Sequence, residues 1–116
     1  MRNEKPWGYE EILEKNPLYV IKRLVVYPEK RLSKQYHEKK TETIIPFNGL
    51  GGIAVNNKVV KFEKDSYGFK PIHIKPKEVH RVCGSYTEKE SAVFLEVSTT
   101  ELEDCVRLED DYGRVK

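Results

Sequence analysis

Short runs rich in β-branched and aromatic residues, separated by turn residues, constrain the fold of this chain more than any other feature. The runs cover residues 18–27, 31–37, 41–47, 52–55, 58–63, 71–75, 80–83 and 91–98. Between them lie residue types that favour turns, including Asn56-Asn57, which suits a two-residue hairpin, and the segment 65–68. Short strands at this spacing predict an all-β sandwich or barrel.

The helical pattern is weak by comparison. Single helical turns are expected only near residues 10–15 and 100–106, where Thr99 or Thr100 would supply the N-cap of the second. The 116 residues contain no internal repeat and no low-complexity linker, so the sequence predicts one domain.

Charge and hydropathy exclude several classes of function. Lys plus Arg number 21 and Asp plus Glu number 19, a balance too even for a general binder of nucleic acids or anionic membranes. The longest apolar runs fall far short of the roughly 20 residues that cross a bilayer, and the first fifteen residues lack the apolar block of a signal peptide. We therefore expect a cytoplasmic protein, with Cys83 and Cys105 as inert reduced thiols.

Four polar residues form a candidate metal site. Gln35 and His37 alternate along one predicted strand, so their side chains share a face about 7 Å apart. Glu42 opens the next strand, and His80 adds an imidazole from another. Such a mixture of nitrogen and oxygen donors suits a divalent ion without selecting among Zn, Mn, Fe, Co and Ni.

The same spacing also fits ordinary surface residues on a lysine-rich hairpin. The basic stretch 30–40 has the composition of a solvated hairpin, which near a metal site would attract a sugar phosphate electrostatically. His73 alternates with Ile72 and Ile74, which is typical of a solvent-facing strand histidine, and it serves only as a reserve ligand.

The segment 28–49 reads Pro-x6-Gln-x-His-x4-Glu-x6-Gly, which resembles the first motif of the cupin superfamily. Gln in the first ligand position resembles the mannose-6-phosphate isomerase branch, whose metal is typically held by Gln, His, Glu and a later His. The segments 5–10, 19–26 and 106–114 resemble the opening motif, first core strand and closing motif of its type II form. The resemblance covers about nine-tenths of the chain and implies a double-stranded β-helix, or jelly-roll barrel.

Several positions depart from the family pattern. Glu38-Lys39-Lys40 replaces a run of histidines after the ligand Gln, and Thr43 replaces an aromatic residue or His. The second cupin motif, Pro-x-Gly-x-x-His, lies over residues 75–80 with Lys77 at the glycine, so the turn before His80 is expected to differ. The nucleotidyltransferase half of the type II proteins is missing, so guanylyl transfer is not expected of this chain.

By this resemblance the chain is a single cupin domain, residues 1–116, with an N-terminal arm (1–17), a barrel (18–98) and a closing segment (99–116). The implied function is metal-dependent interconversion of an aldose phosphate and a ketose phosphate, with mannose 6-phosphate as the first candidate. Gln35, His37, Glu42 and His80 would hold the divalent metal ion.

Three further residues are candidates for the chemistry. Lys22 alternates with apolar residues and is expected to point into the barrel, because a buried lysine is costly without a function. Glu96 also alternates with apolar residues, and either face of its strand could be the inner face of the barrel. If Glu96 points into the barrel, it would either form an ion pair with Lys22 or act with Lys22 in proton transfer. Arg107 is the closing-motif arginine, suited to phosphate oxygens or to a salt bridge with Glu103 or Asp110.

Two other functions fit the same fold. One is a non-catalytic cupin that binds a sugar or a metal, and the other is a nucleotide-sugar isomerase or epimerase that needs no metal. In each case the expected partner is a small molecule, with no nucleic acid and no membrane. A homodimer through an edge strand or the N-terminal arm is expected.

Overall fold

The computed structural model describes residues 2–61, 71–87 and 89–115. Its strands in chain order are β1 (Arg2–Lys5), β2 (Gly8–Lys15), β3 (Val20–Val26), β4 (Lys34–His37), β5 (Glu42–Asn48), β6 (Gly52–Val55), β7 (Lys58–Lys61), β8 (Ile72–Ile74), β9 (His80–Cys83), β10 (Ala92–Ser98) and β11 (Cys105–Glu109). These described ranges contain no helix, and so none that is long and apolar enough to cross a membrane. The end of the predicted strand 58–63 and the predicted turn 65–68 lie outside the described residues.

The strands form two antiparallel sheets. One has six strands in the order β1-β2-β3-β10-β5-β8, and the other has five in the order β11-β4-β9-β6-β7. Consecutive strands pair at one edge of each sheet, in β1-β2-β3 and β6-β7, whereas the other neighbours come from distant parts of the chain, as in a jelly roll. The predicted all-β class is confirmed.

Buried and partly exposed residues alternate along β10 and along the first five residues of β3 and β5, and the buried ones line the interior of the barrel. On β10, Ala92, Phe94, Glu96 and Ser98 are buried, whereas the residues between them are partly exposed. The buried apolar cluster comprises Trp7, Leu24, Val26, Ile44, Ile53, Ile74, Val82, Ala92 and Phe94. The same alternation carries Lys22 and Glu96 inward, where they are direct partners in the β3–β10 register.

The N-terminal arm is part of the larger sheet. The helical turn predicted near residues 10–15 is wrong, because β2 pairs with β3 along its length. Across this pair Glu11 binds Arg23 at 2.7 Å and Glu10 lies 3.4 Å from Lys22. Cross-strand ion pairs and backbone pairing therefore outweigh the local helix propensity of glutamate.

The closing segment contains one strand, β11, and no helix among its described residues 99–115, so the helical turn predicted near residues 100–106 is wrong. Strand β11 pairs with β4, which places Cys105 opposite His37 and Arg107 opposite Gln35. Just before it, the Asp104 carboxylate accepts hydrogen bonds from the backbone N–H groups of Lys39 and Lys40, at 2.7 and 2.8 Å. The closing segment thus completes the smaller sheet beside the candidate ligands.

Candidate metal centre

Three of the four predicted metal ligands meet inside the barrel. His37 ends β4, Glu42 begins β5 and His80 begins β9, so short loops at one end of the barrel bring them together. All three are at least 95% buried, and one donor atom from each lies within 4.8 Å of the others. The structure thus brings together three of the four residues that the sequence analysis proposes as ligands.

The donor atoms have the spacing of a ligand set. Glu42 Oε1 lies 2.9 Å from His80 Nε2 and 3.7 Å from His37 Nε2. Atoms that are each about 2.0–2.2 Å from one ion lie about 3–4 Å from each other. His80 Nδ1 donates to the Glu78 carbonyl oxygen at 2.9 Å, which directs its Nε2 toward Glu42.

These nitrogens lack hydrogen-bond partners. Among the described residues, His80 Nε2 and both ring nitrogens of His37 are buried without one. Buried polar atoms are normally satisfied, so unpaired atoms that converge on one point indicate a missing polar ligand. A divalent cation fits the donor chemistry of two imidazoles and a carboxylate.

The turn that precedes His80 contains a lysine in a left-handed backbone conformation. Lys77 has φ +67°, in the left-handed region that glycine tolerates best. Its N–H donates to the His37 carbonyl oxygen at 2.6 Å, and the Glu78 carboxylate accepts the Lys75 N–H at 2.8 Å. These hydrogen bonds hold the left-handed backbone of Lys77 in place at the position where the family motif has glycine.

We expect Lys77→Gly to raise the free energy of unfolding by about 0.5 kcal/mol. Relief of the left-handed strain, roughly 1–2 kcal/mol, slightly exceeds the entropy cost of glycine, roughly 0.5–1 kcal/mol. Urea denaturation measures the change, and exposed Lys39→Gly, outside any strand, serves as the comparison. A clear loss of stability at position 77 would show that the lysine side chain stabilises the turn.

Glu42 is held in its charged form. Burial alone would raise its pKa, but the imidazoles of His37 and His80 and the ammonium of Lys40 together lower it well below the usual range. Lys40 Nζ lies 3.1 Å from Glu42 Oε2. A carboxylate ligand is therefore ready at neutral pH.

The pKa of Glu96 is shifted in the opposite direction to that of Glu42. Burial and the nearby charge of Glu42 raise the pKa of Glu96 to about 7, although Lys40 and Lys22 act against the change. Its Oε2 accepts a hydrogen bond from Lys40 Nζ at 3.4 Å. A carboxyl group that titrates near neutral pH is suited to take up and return a proton.

Lys40 was missed by sequence reasoning. The stretch 30–40 is predicted to be solvated, and this is wrong for Lys40, which is only 5% exposed. It lies in the loop between β4 and β5, where no alternation marks an inner face. The acid that turns this loop inward, Asp104, is 64 residues away in sequence, so no local signal reveals the contact.

Gln35 lies beside the cluster with its amide already engaged. It is the direct partner of His80 in the β4–β9 register. Its Oε1 accepts hydrogen bonds from Ser33 Oγ at 2.8 Å and from Cys105 Sγ at 2.9 Å. Both cysteines are free thiols, and burial raises their pKa.

A cleft beside the cluster holds the remaining predicted site residues. It is lined by Lys5, Trp7, Glu10, Lys22, Leu24, Leu32, Ser33, Gln35, His37, Lys40, Glu96, Leu102, Cys105, Arg107 and Arg114. Lys22 points inward as predicted, but its ion pair is with Glu10 and not Glu96. His73 is exposed beside Thr43, away from the cluster, as expected for a solvent-facing histidine.

Arg107 lies in this cleft with its charge unpaired. Neither salt bridge considered for it, with Glu103 or with Asp110, is present among the described residues, and Asp110 is held by Arg114 at 2.8 Å. Within residues 2–61, 71–87 and 89–115, Arg107 makes no ion pair, and its buried Nε has no hydrogen-bond partner. A partly buried guanidinium without a counter-ion is a ready binding group for an anion.

The two sheets and the ligand cluster at one end of the barrel define a cupin. A cupin-2 domain protein from Rhodospirillum rubrum superposes with a TM-score of 0.73 at 15% identity, covering 86% of this chain and 64% of its own. The capsular polysaccharide assembling protein CapF from Staphylococcus aureus superposes with a TM-score of 0.77 at 16% identity, covering 94% of this chain and 31% of its own. These likenesses show the fold.

Sequence comparison gives the family. Residues 1–110 match the family described as mannose-6-phosphate isomerase C-terminal, and the chain belongs to it. The chain is 30% identical over 114 residues to the mannose-1-phosphate guanylyltransferase ManC of Salmonella typhimurium, and 26% identical over 112 residues to a mannose-1-phosphate guanylyltransferase of Klebsiella pneumoniae. These matches cover 96% and 95% of this chain but only 22% and 23% of the relatives.

Proposed function

We propose that the protein is a metal-dependent isomerase that interconverts mannose 6-phosphate and fructose 6-phosphate. The observation that carries this proposal is the buried His37–Glu42–His80 cluster, whose unpaired nitrogens adjoin a cleft rich in basic side chains. The family to which the chain belongs supports the choice of a mannose phosphate.

His37, Glu42 and His80 would hold the ion, and Gln35 would join them only by releasing its bonds to Ser33 and Cys105. A bound divalent ion polarises the sugar carbonyl and stabilises the charge that develops on its oxygen. The two imidazoles and the carboxylate leave the element open among Zn, Mn, Fe, Co and Ni.

Glu96 and Lys22 serve the proton transfer in this proposal. Aldose–ketose isomerisation moves a proton between C1 and C2, which requires a group that both accepts and returns it. The pKa of Glu96, about 7, suits this group, because both protonation states are populated at neutral pH. Lys22, paired with Glu10 in the cleft, supplies positive charge near the developing oxyanion.

Arg107 anchors the phosphate. Arg107→Met is expected to raise KM for mannose 6-phosphate by about tenfold or more, because loss of a charge-assisted hydrogen bond costs roughly 1.5–3 kcal/mol. The measurement is steady-state kinetics, with Arg114→Met as the matched control because its charge is already neutralised by Asp110. An equal rise in KM for both variants would contradict this role.

A panel of substrates tests the proposed function. The protein is supplied with each candidate metal and assayed with mannose 6-phosphate, glucose 6-phosphate and unphosphorylated mannose. We expect turnover of mannose 6-phosphate and a large loss with mannose, which cannot engage Arg107. Binding of the sugar phosphates without turnover would instead identify a non-catalytic sugar-binding cupin.

A further inference from the structure

The Glu42 carboxylate is divided between two environments. Its Oε1 faces His80 and His37, at 2.9 and 3.7 Å, whereas its Oε2 lies 3.1 Å from Lys40 Nζ. The side chains of Lys40 and Glu42 are only 5% and 1% exposed. Water therefore competes little for Oε2, which makes an ion pair with the ammonium group but no hydrogen bond to a described residue.

Lys40 is itself fixed from two further directions. Its backbone N–H donates to Asp104 at 2.8 Å, which places the residue on the inner side of its loop. Its ammonium group also reaches Glu96 Oε2 at 3.4 Å, so one buried cation bridges two buried carboxylates. Removal of this ammonium group would leave the carboxylates of Glu42 and Glu96 without the cation that lies between them.

We propose that Lys40 is a positioning residue that keeps Glu42 a one-oxygen ligand of the metal ion. This inference rests on the proposed function for its ion. A carboxylate with both oxygens free can bind a divalent cation through one oxygen or through both, as it does with Ca²⁺, whereas the ion pair with Lys40 would leave only Oε1 available. A bound ion would then have a coordination position left for an oxygen of the substrate.

In this proposal Lys40 lowers the affinity of the site for the metal ion and raises the rate of turnover. The ammonium charge opposes a second cation nearby, and it prevents the tighter two-oxygen contact. We expect Lys40→Met to bind the metal at least about tenfold more tightly and to lose at least about tenfold in kcat, since one added ligand contact and one removed positive charge act in the same direction. Lys40→Arg, which retains the charge, is expected to return both values toward those of the unmodified protein.

Metal binding provides a test that does not depend on activity. The stripped protein and its variants are titrated with Co²⁺ by calorimetry, and the visible absorption of the bound ion is recorded. The absorption of Co²⁺ weakens as its coordination number rises, so the band should be weaker in Lys40→Met. Lys34→Met is the control, because Lys34 pairs with the exposed Glu109 outside the site; we expect its affinity and absorption to be unchanged.

Unchanged or weaker Co²⁺ binding by Lys40→Met would overturn the inference. If Lys40→Met does not fold, as judged by thermal unfolding, Lys40→Gln is measured in its place with the same expected tightening. Tighter binding by the variant with no turnover by either protein would support the role of Lys40 and refute the isomerase function. Failure of the unmodified protein to bind Co²⁺ or any other candidate ion would refute both.

Discussion

Replacing Glu42 with Gln is expected to lower kcat/KM for mannose 6-phosphate by more than about a hundredfold, because even outer-shell partners of a metal contribute roughly ten- to a hundredfold. The substitution preserves the size of a fully buried side chain and removes the charge that the imidazoles and Lys40 stabilise. The loss should appear in metal affinity as well as in turnover, since Glu42 is the only acidic member of the described cluster.

The matched control is Glu38→Gln. Glu38 is a carboxylate in the same loop, between His37 and Glu42, but its side chain is exposed. Calorimetric titration with Mn²⁺ and Co²⁺ and steady-state kinetics are applied to both variants. Retention of metal binding by Glu42→Gln would contradict the assignment of this carboxylate as a ligand.

Replacing Phe94 with Ala is expected to give the largest loss of stability, about 3–5 kcal/mol. Phe94 is 1% exposed and lies on β10, between β3 and β5 in the six-stranded sheet. A domain of this size is stable by only about 5–15 kcal/mol. The variant should therefore unfold at a much lower temperature, and the neighbouring Glu96 would lose a rigid support.

Urea denaturation and thermal unfolding measure this loss, with Val93→Ala as the matched control. Val93 adjoins Phe94 on the same strand but points outward and is partly exposed, so its truncation is expected to cost about 1 kcal/mol or less. Equal losses at the two positions would show that β10 does not present its even-numbered residues to the core.

The alternation of residues along the strands was the most useful sequence pattern for predicting which side chains share a face. Along β10 it predicts that Phe94 and Glu96 share one face without showing which face is the inner one, and the structure places their face inside. The structure brings His37, Glu42 and His80 together because each lies at an end of a strand, where the direction of the side chain follows from that strand; their role as metal ligands stays a prediction. Where periodicity exists, side-chain direction follows from the backbone.

Prediction failed where long-range contacts override local preference. Residues 10–15 are rich in glutamate and were expected to form a helical turn, but pairing with β3 makes them a strand. Lys40 was expected in solvent, but Asp104 turns its loop inward and two buried carboxylates hold its side chain. Lys40 is 64 residues from Asp104 and 56 residues from Glu96. Glu42 is only two positions from Lys40, but its inward direction depends on strand pairing and not on local propensity.

Metal-dependent turnover of mannose 6-phosphate tests the central proposal most directly. The protein is stripped of metal, mixed with mannose 6-phosphate and followed by phosphorus NMR before and after one equivalent of each candidate ion is added. The account predicts no conversion in the stripped sample and formation of fructose 6-phosphate on addition of at least one ion. Conversion that is equally fast without metal, or no conversion with any of the ions, would contradict it.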